Sequence, residues 1–379
     1  MLKIIKKLKL NYLILKNIFK LADKKIKILF YSESKFYQKY SHTLIQLLAK
    51  KYPNEIYYVS SDINDVVENS KINNLFIGNG FLMKIFFAVI KAEYFFLTLT
   101  DLDNHNLKKN KNIKKYIYFF HVAGSTFKGY TKGAFDNYDI ILCNGQFQID
   151  EIRFREKQKK IKKKRLILTG YFYFDHISKK INIFNKPTEI LFAPSWTYKY
   201  KNYINPNCIK IIHELIKKNY YIAFRPHPEH YRRSQKILRE IKYKFGSYKN
   251  FRFDNDVENI KSLEKAKCLI TDTSGIYLEY MLLLNRPVLF LEGIDKIHND
   301  EYSDFNNFKP VEQDFKEKFG LTFSENEIKN IDLLIENSIK SFHSKIPQLN
   351  QLKNTIFFNF GKTIEKFETI IESQIFDKD

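Results

Sequence analysis

The stretch FRPHPEH, at residues 224–230, holds residue types that can bind an anion at the end of a strand. It follows the apolar run YYIAF, and two prolines bracket a histidine. Because proline rings restrict the backbone, Arg225 and His227 can be held rigidly toward a negatively charged ligand. The alternative is a stiff turn in which His227 only hydrogen-bonds the backbone, and for a lone histidine it would be preferred. Three other predicted strand ends carry matching chemistry, which favours the anion site.

A second candidate site is the segment TDTSGIYLE, residues 271–279. A strand is predicted to run into this turn and a helix to start directly after it, so free backbone N–H groups and the helix dipole favour an anion there. Thr273 and Ser274 add hydroxyl donors, Gly275 lets a phosphate approach, and Glu279 can accept a hydrogen bond from a ribose hydroxyl. A simple helix cap is the alternative, but it accounts for only one Ser or Thr.

The segment EILFAPSW, residues 189–196, places Ser195 and the only tryptophan, Trp196, at the end of another predicted strand. We interpret this end as part of a nucleotide pocket. A capped turn with a packed indole gives the same pattern.

In YFFHVAGSTFKGYTKG, residues 118–133, His121 ends a strand and the glycine-containing loop after it carries Lys128. A histidine that titrates near neutrality can take a proton from an attacking hydroxyl. Taken alone, His121 would instead indicate a buried histidine in a turn.

In this order, the four motifs resemble those of the CDP-glycerol glycerophosphotransferases of teichoic-acid and capsule synthesis, over roughly residues 115–295. The resemblance implies a GT-B-like transferase. A hydroxyl of the acceptor substrate would attack the β-phosphate of CDP-glycerol and release CMP. Fixed hydrogen-bond donors of the protein would stabilise the charge on the phosphoryl group. The acceptor would be a membrane-linked or capsular glycan, and neither a metal nor another cofactor is expected.

The resemblance also implies residue roles. His121 matches the general base of the family, and His227 matches the histidine that contacts the donor pyrophosphate, so both are predicted to be catalytic. The predicted substrate-binding residues are Arg225, Ser195, Thr271, Asp272, Thr273, Ser274, Gly275, Glu279 and Lys128.

Two other classes of function stay open at this stage. The segments HVAGST and TDTSGIYLE also resemble the nonhydrolysing UDP-sugar 2-epimerases, so a sugar-nucleotide glycosyltransferase or an epimerase on the same fold is the alternative enzyme. A noncatalytic basic protein that binds membranes or nucleic acid is the third possibility. It predicts that alanine at His121 and His227 changes nothing.

The elements that must position these motifs are short apolar strands that alternate with helices. The predicted strands are residues 25–32, 55–61, 74–78, 94–100, 116–122, 139–145, 165–171, 189–195, 220–226, 251–254, 268–274 and 287–293. This pattern is typical of parallel sheets covered on both faces, and it predicts an α/β, GT-B-like chain of two Rossmann-like domains with sheets facing across a cleft. After about residue 300 the strand pattern fades.

The predicted segments are a basic amphipathic helix at 1–24, an acceptor domain at 25–183, a nucleotide-donor domain at 184–345 and a helical segment at 346–379. The domain boundary is placed near residues 181–189, where polar residues interrupt the pattern. Because little of the sequence lies outside two domains, we expect one or a few transfers rather than long polymerisation.

The formal net charge is +22, from 64 basic and 42 acidic residues. It indicates either an anionic partner or merely a lysine-rich composition. The basic stretch at residues 151–165 is open to the same two interpretations, a membrane or polyanion contact and a solvated face. Nucleic acid is not expected, because no recognised binding module accompanies the charge.

The N-terminal helix is the best candidate for membrane contact. Leu8, Ile18 and Phe19 can share an apolar face, and such a basic helix can lie on an anionic membrane or, alternatively, pack on its own domain. The longest apolar stretch, at residues 81–100, is interrupted by charged residues and does not predict a span. With three cysteines in no disulfide pattern, we expect a cytoplasmic protein at the inner face of the membrane.

Overall fold

A computed structural model describes residues 2–104, 107–182, 186–196, 206–256, 258, 260–293 and 295–376. The chain divides into two compact units: the first contains Met1–His121, Tyr130–His176 and Phe357–Asp379, and the second contains Val122–Gly129 and Ile177–Ile356.

Among the described residues, the first unit holds a seven-stranded sheet in the order β3-β2-β1-β4-β5-β6-β7, with every neighbouring pair parallel. The strands are β1 (Ile26–Ser32), β2 (Ile56–Ser60), β3 (Ile72–Phe76), β4 (Ala92–Leu97), β5 (Ile113–Phe119), β6 (Ile140–Cys143) and β7 (Arg165–Leu168). The helices are α1 (Leu2–Ala22), α2 (Lys35–Lys51), α3 (Phe81–Val89), α4 (Gln146–Gln158) and, reaching into the second unit, α5 (Phe172–Ser178).

Strand β1 shows why the apolar runs are continuous rather than alternating. Ile28 and Phe30 belong to the core on one face of the sheet, and Leu29 and Tyr31 belong to the core on the other. Because successive side chains of a strand point to opposite faces, a strand covered by helices on both sides needs apolar residues at every position.

In the described part of the second unit, a six-stranded sheet has the order β10-β9-β8-β11-β12-β13, again with parallel neighbours. The strands are β8 (Glu189–Phe192), β9 (Tyr221–Phe224), β10 (Phe251–Phe253), β11 (Ala266–Thr271), β12 (Val288–Leu291) and β13 (Leu321–Phe323). The helices are α6 (Pro206–Lys217), α7 (Pro228–Arg233), α8 (Gln235–Phe245), α9 (Ile260–Lys265), α10 (Ile276–Leu284), α11 (Val311–Phe319), α12 (Ile331–His343) and α13 (Ile346–Ile356), with 3-10 turns at Tyr302–Phe305 and Glu325–Asn330.

The last helix, α14 (Thr363–Gln374), belongs to the first unit. The buried Asp175 carboxylate accepts hydrogen bonds from the Thr363 and Ile364 backbone N–H groups at 3.0 and 2.9 Å. A carboxylate there satisfies donors that have no partner within the helix and complements the helix dipole. Phe367 and Ile371 then complete one core of the first unit.

The predicted α/β architecture with two parallel sheets is confirmed. One strand, β13, lies beyond residue 300, where the strand pattern of the sequence fades; it follows Gly320 and pairs with β12. This strand is only three residues long, too short for its pattern to be distinguished from a loop.

The predicted domain ranges are continuous in sequence, whereas the observed units are not. Val122–Gly129 packs within the second unit, and the predicted C-terminal segment divides between α13 of the second unit and α14 of the first. Of the predicted boundary region, residues 183–185 lie outside the described residues.

Helix α1 packs against the first unit with one face. Ile14, Ile18 and Leu21 are buried in its core, whereas Leu8 and Phe19 are exposed. The predicted shared face of Leu8, Ile18 and Phe19 is therefore wrong. The helix carries apolar residues on two faces, of which only one is covered.

Gly170 offers a test of how the C-terminal segment packs in the first unit. Its φ is +101°, and a Cβ there would lie 2.3 Å from the Phe358 carbonyl oxygen and 2.6 Å from Thr363 Oγ1. We expect Gly170→Ala to lower the thermal unfolding midpoint more than Gly361→Ala, which has a φ of +71° but open space around the Cβ position. The control substitution Gly361→Ala introduces only the strain of a left-handed backbone, about 1–2 kcal/mol, and no steric clash. Equal midpoints in calorimetry would contradict this packing.

Candidate active site

Two of the predicted site segments meet where the strand order of the second unit reverses. β8 and β11 are neighbours there, and their carboxyl ends lead into Ser195 and Asp272. Ligands of open parallel sheets bind at such a reversal, beyond the ends of the strands.

The Asp272 carboxylate joins the two strand ends. It accepts hydrogen bonds from the Ser195 backbone N–H and hydroxyl, both at 2.9 Å, and from the Thr273 N–H at 2.6 Å. Burial raises the pKa of Asp272, and these hydrogen bonds and nearby Lys296 oppose the rise. Ser195 and Asp272 thus fix the shape of the turn. Thr271 is buried as well, and its hydroxyl donates to the Ala193 carbonyl oxygen at 2.7 Å.

The next residues form the exposed side of the same turn. Thr273, Ser274 and Gly275 are partly accessible, and Gly275 is the N-cap of α10. The Thr273 hydroxyl lies 3.3 Å from the Ser195 hydroxyl. Glu279, in the first turn of α10, is buried. Among the predicted turn residues, Thr273, Ser274 and Gly275 are therefore the accessible ones.

The RPHP loop is held by an ion pair and by a helix cap. The Arg225 guanidinium donates to the buried Asp254 carboxylate at 2.8 Å, beside the end of β9. His227 caps α7, and its Nδ1 accepts from the Glu229 backbone N–H at 3.2 Å. A neutral ring with an accepting Nδ1 carries its proton on Nε2, so His227 presents a fixed N–H donor.

The only tryptophan lies against this loop. The rings of Trp196 and His227 are nearly parallel, 24° apart with centroids at 6.3 Å, and the Arg233 guanidinium lies 5.2 Å from the indole. Ser195, Trp196 and His227 therefore line one end of the second sheet.

His230 is a site residue that the motif analysis did not predict. It is fully buried, with Nε2 at 3.0 Å from the Ser195 carbonyl oxygen and Nδ1 at 3.1 Å from Ser234 Oγ. Burial lowers its pKa, so the ring is held neutral. Its place in the sequence, three residues after His227, was the available signal.

The loop after His121 packs among residues 295–312 of the second unit. Glu312 accepts from the Ser125 N–H at 2.9 Å and from its hydroxyl at 2.8 Å. Phe127 stacks on Phe305 with centroids 4.7 Å apart. Lys128 is buried and pairs with Asp295 at 3.3 Å.

His121 itself is the last residue of its segment in the first unit. It lies among the rings of Tyr37, Tyr40 and Tyr130, with centroids 5.5, 5.9 and 6.3 Å away. Tyr37 and Tyr40 come from the start of α2, directly after β1. His121 is half-buried against them.

Two lysines near Asp272 were also missed. Burial lowers the pKa of Lys296 and of Lys316, and this lowering is opposed by Asp272 at Lys296 and by Asp295 and Asp272 at Lys316. Neither lysine lies in a recognisable motif, and only the fold brings them to this turn.

No group of three His, Cys, Asp or Glu in the described residues could hold a metal ion. The closely spaced Asp101 and Asp103 lie in a loop with positive φ at both residues, in which Asp101 accepts a hydrogen bond from the Thr100 hydroxyl at 2.7 Å.

Several charged side chains of the basic stretch at 151–165 make contacts within the first unit. Lys164 and Glu156 are both buried, and the Lys164 N–H donates to Glu156 at 2.7 Å. The Arg155 guanidinium pairs with Asp136 at 2.8 Å. These residues therefore serve the first unit itself.

The sequence profile of the CDP-glycerol:poly(glycerophosphate) glycerophosphotransferases matches residues 17–311. The chain belongs to this family. It is therefore an enzyme, a transferase that uses CDP-glycerol as donor. No curated protein matches the chain in sequence.

Solved structures share the fold. The wall teichoic acid polymerase TagF is 16% identical with a TM-score of 0.53, and the match covers 97% of each chain. A protein assigned as a UDP-N-acetylglucosamine 2-epimerase from Listeria monocytogenes is 11% identical with a TM-score of 0.60, over 94% of this chain and 98% of that one. The S. aureus MnaA–UDP structure is 13% identical with a TM-score of 0.57, over 94% and 99%. These similarities confirm the GT-B-like fold.

The buried neutral His230 gives the second unit a pH-dependent stability. Because its folded pKa lies below the ordinary 6.5, the unfolded chain binds more protons as the pH falls through this range. Stability is therefore lost on acidification and is constant above about pH 7. We expect the unfolding midpoint, followed by Trp196 fluorescence, to drop less between about pH 7.5 and about pH 5.5 in His230→Gln than in the unsubstituted protein. Parallel pH profiles would contradict a neutral buried His230.

Proposed function

We propose that the enzyme transfers glycerol phosphate from CDP-glycerol to a hydroxyl of a membrane-linked or capsular glycan and releases CMP. The observation that carries this proposal is the donor-rich edge of the second sheet. There Ser195 and Asp272 join the end of β8 to the turn before α10, which follows β11, and the RPHP loop follows the neighbouring strand β9.

The donor diphosphate is proposed to bind beyond these strand ends. The Thr273 and Ser274 hydroxyls, the N–H groups at the start of α10 and the His227 Nε2–H are suitable donors to phosphate oxygens. Arg225 acts indirectly, because its ion pair with Asp254 holds the RPHP loop. Glu279 is proposed to lie near the ribose.

His121 is proposed as the general base. It would accept the proton of the acceptor hydroxyl as the oxygen attacks the β-phosphorus, and the bond to the bridging oxygen would break so that CMP carries away the electron pair. Its tyrosine surroundings hold the imidazole in a fixed orientation, which favours proton transfer at a defined position.

We expect His121→Asn to lose CMP formation by at least about a hundredfold while CDP-glycerol binding is kept, because a general base contributes about 10²–10⁴ to rate. His227→Ala should weaken CDP-glycerol binding as well as turnover. CMP would be measured by chromatography and binding by calorimetry. His213→Ala is the matched control, since this histidine is exposed on α6. Full activity of both site variants would contradict the proposed roles of His121 and His227.

The epimerase-like alternative shares the fold, so ligand binding has to distinguish it from the proposed transferase. Calorimetry with CDP-glycerol, CDP-ribitol, CMP, UDP-N-acetylglucosamine and UDP separates the two. Selective binding of UDP compounds would contradict the proposed donor.

We propose further that α1 holds the enzyme on an anionic membrane. Among the described residues, no helix is long and apolar enough to span a bilayer. At 100° per residue, the exposed Ile5, Leu8, Tyr12 and Phe19 share one face of α1, opposite the buried face. Lys9, Lys16 and Lys20 lie beside this exposed face, which is the arrangement of an interfacial helix.

Leu8→Glu combined with Phe19→Glu should abolish sedimentation with vesicles that contain anionic lipid, because charge on this face opposes insertion and repels the surface. The control is Leu333→Glu, an equally exposed leucine on α12 of the second unit. Binding should also weaken as salt is raised. Unchanged sedimentation of the double variant would assign the face of α1 to another partner.

A further inference from the structure

Lys128, Lys296 and Lys316, which we call the lysine cluster, come from three separate segments of the second unit. Lys128 and the segment of Lys296 are joined by two contacts: the Lys128 ammonium donates to Asp295 at 3.3 Å, and the His298 N–H donates to the Lys128 carbonyl oxygen at 2.9 Å. The segment that carries Lys296 is therefore held against the segment of Lys128, and the Lys296 side chain lies within electrostatic reach of Asp272.

Lys316 reaches the same turn from α11. Glu312, one turn earlier on this helix, holds Ser125 of the loop that carries Lys128. The Lys316 ammonium lies 5.1 Å from the ring centroid of Phe290, and Phe290 pairs with Thr271 across β12 and β11. Lys316 is thereby placed at the carboxyl end of β11, next to Asp272.

Within the residues that the structure describes, a direct ion pair is made by only one of the three ammonium groups, although Asp295, Asp272 and Glu292 act on Lys316 at longer range and Asp272 acts on Lys296. Lys128 has Asp295 as its partner, whereas in the described part of the chain no hydrogen bond or ion pair is found for the ammonium groups of Lys296 and Lys316. Both are partly withdrawn from water, and burial lowers the pKa of each. Asp272 supplies one negative charge nearby, but its oxygens already accept from Ser195 and Thr273.

Half-buried cations of this kind are stabilised when an anion arrives between them. A diphosphate at the turn before α10 carries two negative charges and several acceptor oxygens. Its two negative charges can balance the two ammonium groups, and its oxygens can accept hydrogen bonds from the exposed donors of the turn. A single carboxylate ligand would leave one lysine uncompensated.

We propose that Lys296 and Lys316 are binding residues for the diphosphate of the nucleotide donor and neutralise the charge that develops on the departing CMP. This inference rests on the proposed function for the identity of the donor. It does not depend on the base of the nucleotide, because both lysines act on the phosphates.

The test compares Lys296→Met and Lys316→Met with the unsubstituted full chain by calorimetry, with CDP-glycerol, inorganic pyrophosphate and cytidine as ligands. Methionine keeps the apolar stem of the lysine and removes the charge. Each variant should bind CDP-glycerol and pyrophosphate at least about tenfold more weakly, the loss expected for a charge-assisted hydrogen bond, while cytidine binding is unchanged. Lys318→Met is the matched control, because this exposed lysine of α11 pairs with Asp314 at 2.6 Å.

Each result of this test is decisive. Wild-type affinity for pyrophosphate and CDP-glycerol in both variants would overturn the proposal, and so would a parallel loss of cytidine binding, which indicates a structural role. Lysine-dependent pyrophosphate binding without any preference for CDP compounds would support the lysines and refute the proposed donor. A protein that binds neither pyrophosphate nor any nucleoside diphosphate would refute both.

Discussion

The buried carboxylate of Asp272 is the interaction on which the second unit's site depends. It accepts three hydrogen bonds, two from Ser195 after β8 and one from Thr273 after β11. They join the ends of these strands at the point where the strand order of the sheet reverses. The His230 ring is hydrogen-bonded to the Ser195 carbonyl oxygen and so holds the same end of β8. Burying a carboxylate is unfavourable unless its oxygens are hydrogen-bonded, so this network holds one arrangement of the turn and penalises others.

That rigidity suits a reaction in which the protein forms no covalent bond with the phosphoryl group. In such a transfer the protein contributes position and electrostatics, and donors fixed before the substrate arrives need no reorganisation during the reaction. The site separates two tasks accordingly. Ser195, Asp272 and His230 form one hydrogen-bond network and Arg225 pairs with Asp254, whereas the exposed turn, His227 and the lysines are the groups proposed to bind the donor.

The sequence was sufficient to predict features that depend on local pattern. Continuous apolar runs predicted parallel strands covered on both faces, and polar residues at four strand ends predicted the site segments. It did not predict features that depend on distant contacts. Lys296 lies in LEGIDKIHND, where nothing local indicates a ligand, and it reaches the site only through Lys128 and Asp295. For the same reason, no local pattern showed that Val122–Gly129 packs apart from the strand before it, or that Ser195 and Thr271 use their side chains inside the protein.

The way the chain passes between its two units also constrains how the protein is made. The second unit needs Phe127 and Ser125, which are synthesised within the sequence of the first, and the first unit needs α14, the last described helix of the chain. Domains generally fold as units during synthesis, N-terminal first. Here neither unit can complete its core as a continuous fragment. The first must wait for residues 357–376 to leave the ribosome, so cutting the chain near residue 180 would not yield two independent proteins.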